Sequence, residues 1–326
     1  MIELSECRDT KTWHEFLKKE NGTQLITIAH NPSLGPILEK TFGYESQNML
    51  INKNDEVIGV LPLVKIGKKL VSMPHFSYGG PILDSSSDEA SLDLSKVLDS
   101  NRFEARSFDK LTENLYEGKV SCILKLKNNQ EEQLMYFKSG FRRKIRKSEK
   151  YNFKVVCGKM ELLDEFYDVY TKKMLHKGSP PLGKSFFQNL LLDYKYGEAL
   201  ITAVYHGDEI IAGGFTLSYL GFNEICWVST NSDYDKYNVN SFLYWNIVKD
   251  SIQKNYTYFS LGRSTKNSSN HLYKRQWKPM EIPIFYNYSE PVGKSLKEFS
   301  FLTKIWKLQP LSTSVYFGRI VSKYVY

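Results

Sequence analysis

Two short runs late in the chain combine residue types suited to a charged carbonyl intermediate or an acidic ligand. In Tyr273-Lys274-Arg275-Gln276-Trp277 two cations lie between aromatics, and a cation fixed there could stabilise an oxyanion as a carbonyl is attacked. Just upstream, Gly262-Arg263-Ser264-Thr265 follows a predicted strand. A strand end opening into a small-residue loop is a common ligand position in α/β sheets. Arg263 brings a planar fork that fits phosphate or carboxylate; paired with a local carboxylate, it would only hold a turn. The densest charge lies from Lys138 to Lys150, with seven cations and one anion in thirteen residues. Coiled into a helix, Arg142, Arg143, Arg146, Lys147 and Lys150 cover more than one face. That suits a phosphate or polyanion contact, the alternative being a solvated helix anchored by Phe141 and Ile145. His176, ahead of Gly178-Ser179-Pro180, is either a general base or a loop histidine with structural partners.

Other chemistries lack their signatures. The chain holds no G-x-S-x-G elbow and no P-loop, and Gly213-Gly214 lies inside an apolar run where no dinucleotide turn is expected. Six scattered histidines and four cysteines show no metal-ligand spacing, so no metal is expected and the cysteines read as buried thiols. Composition adds a partner class. Across 326 residues, 41% are hydrophobic and 25% charged, with 44 Lys+Arg against 36 Asp+Glu and 22 tyrosines. This is an ordinary globular balance with a formal charge of +8, which favours nucleic acid, phosphorylated substrates or anionic lipid. The first twenty residues carry no hydrophobic signal segment and no run reaches 18 apolar residues, so a cytoplasmic protein is expected.

The elements that must position these residues fall into two similar series. The first has helices at Thr10 to Glu20 and Gly35 to Thr41, with a strand at Gln24 to Ala29 between them. Strands at Gln47 to Asn52 and Val57 to Ile66 follow, joined through Asn54-Asp55. A strand at Leu70 to Met73, an irregular loop at Pro74 to Pro81, a helix over Ser85 to Asp99 and a strand at Gly118 to Lys127 complete it. After a polar linker, Lys127 to Gln133, the second series has helices at Glu161 to Lys173 and Ser185 to Tyr194. A meander of Ala199 to Tyr205, Glu209 to Tyr219 and Phe222 to Thr230 comes next, then a helix at Val239 to Lys254 and a strand at Thr257 to Leu261. Helix, helix, meander, helix, strand, twice over, predicts an α/β (α+β) fold with an internal duplication.

The order of short motifs resembles a known family. Ser241-Phe242-Leu243-Tyr244-Trp245, Phe259-Ser260-Leu261-Gly262-Arg263-Ser264, Tyr273-Lys274-Arg275-Gln276-Trp277 and Ile284-Phe285-Tyr286-Asn287-Tyr288 resemble the FemAB-like branch of the GNAT acyltransferases. The likeness is to the FemAB-related proteins of exosortase and exopolysaccharide clusters. Phe141 to Lys147, Gly178-Ser179-Pro180 before Ser185-Phe186-Phe187, and Ser77-Tyr78-Gly79-Gly80-Pro81 extend it over nearly the whole chain. The resemblance implies two tandem GNAT-like domains, each a mixed, largely antiparallel sheet with flanking helices. These are expected at 1–130 and 131–290, with a helical amphipathic tail at 291–326. It also implies transfer of an acyl or aminoacyl group to an amine, without a tightly bound cofactor. Lys274, after Tyr273, would stabilise the tetrahedral intermediate or contact the donor, and Arg263, Ser264, Arg142, Arg143, Tyr78, Tyr244 and Trp277 would bind substrates. Lys278 after Trp277, Tyr273 in place of the family's Phe, and the lack of sustained heptads favour the polysaccharide-associated branch over peptidoglycan-bridge synthesis.

The donor is narrowed by Thr230 to Asn240, where ordinary GNAT enzymes place a glycine-rich pyrophosphate loop. Here the stretch has no glycine and two aspartates, a poor phosphate cradle. That favours aminoacyl-tRNA over acyl-CoA, with an amino-sugar or nucleotide-sugar acceptor. The rival reading is a non-catalytic protein that holds an anionic nucleotide-sugar or RNA. The segment 295–326 alternates aromatics with lysines, so it either packs on its own domain or rests peripherally on the inner membrane.

Overall fold

The computed structural model describes residues 2–86, 92–98, 102–291 and 300–325. In chain order the first half runs β1 (Ile2–Glu6), α1 (Thr10–Glu20), α2 (Leu34–Phe42), β2 (Glu45–Lys53), β3 (Glu56–Ile66), β4 (Lys69–Val71), β5 (Ile82–Leu83), α3 (Leu94–Val97), β6 (Arg102–Ser107) and β7 (Asn114–Lys125). Helices α4 (Gln130–Tyr136) and α5 (Ser139–Ser148) lead to β8 (Phe153–Gly158), α6 (Leu163–Lys177), α7 (Lys184–Asp193), β9 (Gly197–His206), β10 (Glu209–Tyr219), β11 (Phe222–Thr230), α8 (Val239–Gln253), β12 (Tyr258–Thr265), α9 (Ser269–Arg275) and β13 (Met280–Tyr288). Two tail helices follow, α10 (Ser300–Lys307) and α11 (Leu311–Val321).

The expected duplication is visible strand by strand. In each half an outer strand, two helices, a three-stranded antiparallel meander and a helix lead to a strand parallel to the meander's last: β4 pairs with β6, and β11 with β12. Among the described residues the strands form one mixed sheet in the order β1-β2-β3-β4-β6-β13-β7-β12-β11-β10-β9-β8, with β5 on β3. At its centre the halves exchange strands. β7, from the first half, pairs with β12 of the second, while β13, from the second, pairs with β6 of the first and with β7.

Local chemistry accounts for these elements. Asn54 and Asp55 both take positive φ, which closes the β2–β3 hairpin as that dipeptide favours. Asp9 accepts from the backbone N–H groups of Lys11 and Thr12 and so starts α1. One apolar core unites both halves, with Trp13, Leu17 and Phe76 packed in the same cluster as Phe166, Phe187 and Phe215. A second lies under α8 and α5, around Phe141, Ile145 and Trp277.

Several expectations change. The run Gln24 to Ala29 is no strand; Ile26, Ile28 and Ala29 are core residues in an irregular segment that ends in a 3-10 turn at Ile28–His30. There His30 O accepts from Trp13 Nε1 at 2.8 Å and the His30 ring bonds Thr27, so local partners replace a ladder. Gly262-Arg263-Ser264 is not a loop, because β12 continues through it to Thr265. Part of the expected linker is helical, since α4 begins at Gln130. Of the helix expected over Ser85 to Asp99, only Leu94–Val97 is helical among the described residues: Ser85 and Ser86 form a turn, where Asp84 accepts from Ser86, and Asp93 caps α3 instead of continuing it. Residues 87–91 and 99 lie outside the described residues, as do 295–299 and 326 of the tail. Cys122 is buried, but Cys7 and Cys226 are half-buried and Cys157 is exposed.

Candidate active site

The parallel pair β11–β12 lasts for three residues, Phe222 to Glu224 against Tyr258 to Ser260. Beyond them the strands diverge and leave a wedge between them. Each carries a bulge at this point: Cys226 is the extra residue opposite the Phe215/Thr216 step, and Leu261 and Gly262 together oppose Cys122. In the first half the corresponding gap is occupied. The Pro74–Pro81 loop runs along β6, with Gly79 N donating to Arg106 O at 2.8 Å and Arg106 N donating to Ser72 Oγ at 2.8 Å. The second wedge is open, and the loop that runs along β6 delivers Ser77 to its lining and Tyr78 to Glu224 beneath it.

The β12 bulge turns on Gly262, whose φ of +74° is one that L side chains rarely adopt. Its N–H donates to Ser260 Oγ at 3.0 Å, and the twist presents the carbonyls of Gly262 and Arg263 together. Both accept from Lys274 Nζ, each at 3.0 Å. Lys274 arrives on α9, a short helix that is held at both ends. Ser268 Oγ accepts from His271 N at its start, and His271 and Arg275 bind Glu281 of β13 at 2.8 and 2.9 Å. Trp277 follows, fully buried among Phe137, Phe141 and Tyr244.

The wedge encloses about 540 Å³. Ile225 to Val228 and Leu261 to Arg263 form its two walls, Tyr273 and Lys274 its α9 side, Tyr244, Asn240 and Asp235 the approach to α8, and Lys173, Lys177, His75 and Ser77 are also in its lining. Four cations, Lys173, Lys177, Arg263 and Lys274, thus face one carboxylate, Asp235. Burial pushes the Lys274 amine down to about 8, with the charge of Glu224 pulling the other way. Glu224 lies beneath the wedge, 2% exposed, accepting from Ser77 Oγ and Tyr78 OH at 2.7 Å each. Burial raises its pKa, and raises that of Tyr78 well above the usual phenol. Arg263 Nη1 donates to Tyr286 OH at 2.9 Å, while Arg106 stacks over the Tyr286 ring at 5.1 Å. Burial lowers the Arg263 pKa, yet a guanidinium remains a cation in any protein setting.

Of the residues expected to act, Lys274, Tyr273, Arg263 and Tyr244 line one pocket, and Tyr78 reaches it through Glu224. Burial lifts the Tyr273 phenol to about 12, so it faces the wedge as a neutral donor. The others lie elsewhere. Ser264 is buried past the bulge, opposite Val120, its hydroxyl without a partner among the described residues. Trp277 is a core anchor. Arg142 Nη1 donates to Phe137 O at 2.6 Å and so closes the end of α4. Arg143 is exposed on α5, and His176 is exposed on α6, outside the lining. Helix α5 meets the site through Lys144, whose ammonium lies 5.4 Å over the Tyr273 ring. Sequence reasoning missed Glu224, Lys173 and Lys177. Spacing was the available signal: Lys173 and Lys177 stand i, i+4 on α6, and Glu224 is a lone carboxylate in an apolar β-run. Among the described residues no three metal-ligating side chains gather.

Known proteins share this architecture. Residues 137–275 match the family described as acetyltransferase (GNAT) domain. The fold is similar to the crystal structure of FemX, at 14% identity and a TM-score of 0.64, with 87% of this chain and 97% of FemX covered. It is also similar to L-PGS from Bacillus licheniformis, at 15% identity and a TM-score of 0.55, covering 94% and 99%. A tandem GNAT protein from the clavulanic acid biosynthesis pathway superposes at 8% identity and a TM-score of 0.54, covering 90% and 100%. No curated protein matches in sequence.

Proposed function

We propose, from the premise that this chain carries a GNAT acetyltransferase domain within a tandem GNAT fold, that it is an amide-forming N-acyltransferase of FemAB type. The observation that carries the reading is Lys274, a buried cation held by two carbonyls at the floor of the wedge between β11 and β12. An ammonium has three N–H donors and two are used, which leaves one for an oxyanion formed in the pocket. An acceptor amine attacks the donor's ester or thioester carbonyl, the C–N bond forms, and the carbonyl oxygen gains the charge that Lys274 stabilises. Collapse of the tetrahedral intermediate breaks the bond to the donor's oxygen or sulfur, the amine nitrogen gives up a proton that ends on the departing hydroxyl or thiol, and an amide remains.

The cationic lining supports an anionic substrate. We favour aminoacyl-tRNA over acyl-CoA as donor, because Asp235 lines the approach to α8, where a pyrophosphate would otherwise rest, and because α5, which meets the site through Lys144, exposes Arg143, Arg146 and Lys147 to solvent. The acceptor we assign is an amine on an amino sugar, a nucleotide-sugar or another precursor of cell-surface polysaccharide, with the enzyme in the cytoplasm and touching the inner membrane peripherally. Charged tRNA and CoA thioesters, offered in parallel with amino-sugar acceptors and followed by mass spectrometry of the product, test this. The expected amide forms from charged tRNA and is lost on RNase treatment. Turnover of acyl-CoA that survives RNase overturns the donor assignment, and no amide from either donor overturns the reaction.

A further inference from the structure

Helix α11 is packed the opposite way from an ordinary surface helix. Its small residues Ser314, Gly318 and Ser322 are buried. At Gly318 a Cβ would collide with Pro181, so only glycine allows this close approach. Its large apolar residues face outward: Tyr316, Phe317 and Ile320 are about half exposed, and Tyr324 beyond the helix is 66% exposed. The preceding α10 repeats the pattern. Thr303 and the stem of Lys307 lie against Gly178 at the end of α6, while Ile305 and Leu308 stand out, Leu308 at 85%. Trp306 Nε1 donates to Ser314 Oγ at 2.9 Å and ties the two helices together.

Charge on this segment has one sign. Residues 300–325 contain Lys304, Lys307, Arg319 and Lys323 and no Asp or Glu. The guanidinium of Arg319 lies over the exposed Tyr316 ring at 4.7 Å, so cation and aromatic share the outward face. Large apolar side chains clustered on an exposed face and rimmed by polar groups mark an interaction surface. Interleaved tyrosines and long cations match the boundary between acyl chains and headgroups, where rings are half wet and Lys and Arg snorkel to phosphates. We propose that the outward faces of α10 and α11 dock on an anionic membrane surface, the apolar side chains entering the headgroup boundary and Lys304, Lys307 and Arg319 meeting lipid phosphates. This makes specific the peripheral contact named above, and its test does not involve acyl transfer. Both tail helices pack on α6, whose Lys173 and Lys177 line the wedge, so the docked tail holds the helix that carries two of the pocket's cations.

Flotation of the full chain with phosphatidylcholine vesicles, with and without phosphatidylglycerol, tests the proposal. The chain is expected to float with the anionic vesicles, to float less with the neutral ones, and to be released by salt. Phe317→Asp with Ile320→Asp should weaken partitioning at least about tenfold, and Leu308→Asp should weaken it separately. Leu308→Asp should leave the thermal melt unchanged, because that side chain is 85% exposed, and so separates lost partitioning from lost folding, while the half-exposed pair should lower the melt only modestly. Sedimentation of the unmodified chain with both vesicle types, or equal flotation of the variants, overturns the proposal. So does a dimer that the double variant makes monomeric without any flotation, since the occupant is then a second copy.

Discussion

Lys274 combines a charge with a site that disfavours charge. Burial brings its pKa to about 8, and the carbonyls of Gly262 and Arg263 compensate for part of the lost water. The sign follows directly: the cation predominates below about pH 8 and is lost as pH rises through that value. Support for an oxyanion should therefore fade on the alkaline side, and kcat should decline with a midpoint near 8. Lys274→Ala should lower kcat by roughly 100- to 1,000-fold with a small change in KM. Lys274→Arg, which stays charged, should remove the alkaline limb while keeping part of the rate. A rate that rises through pH 8 would make the neutral amine the active form. Lys274 was legible because aromatics flank it within four residues. Glu224 was not, because what reveals it is Tyr78, 146 residues away, and no local spacing carries such a contact.

At the scale of elements, the readable parts were those whose pattern is their own. The meander β9–β10–β11 and helices α1, α6 and α8 follow apolar periodicity closely. Strand β6 escaped because Glu104 and Arg106 stand in it as a buried ion pair at 2.7 Å, so charge masks a strand that is buried nearly throughout. The continuation of β12 escaped for another reason: glycine followed by arginine and serine reads as a loop, and here the glycine makes a bulge. Function depends on that bulge, since it aims two carbonyls at Lys274. Gly262→Ala should cost about 1–2 kcal/mol for a side chain at positive φ, measured by urea unfolding. Activity under folding conditions should fall further than the lost population explains, because the carbonyls turn away. A variant with full kcat would show that the bulge serves the fold alone.

For the whole molecule, duplication was legible and the strand exchange was not, since two similar series can sit side by side or share a sheet with the same local patterns. The consequence concerns the boundary expected at 130/131. A fragment 1–130 would keep β6 and β7 but lose β13, which lies between them, and a fragment 131–326 would lose β7, the partner of both β12 and β13. The first core would also be cut, separating Trp13 and Phe76 from Phe166 and Phe187 and exposing large aromatic faces on both pieces. The wedge would lose Ser77 and Tyr78, leaving Glu224 buried without its donors, a costly state for a polar group. Neither fragment should melt cooperatively when expressed alone, judged by circular dichroism and amide dispersion. Co-expressed, the two should associate through the exchanged strands and recover the melt of the intact chain. Two independent cooperative transitions would mean that each half closes its own sheet, and that the site between β11 and β12 needs nothing from the first half.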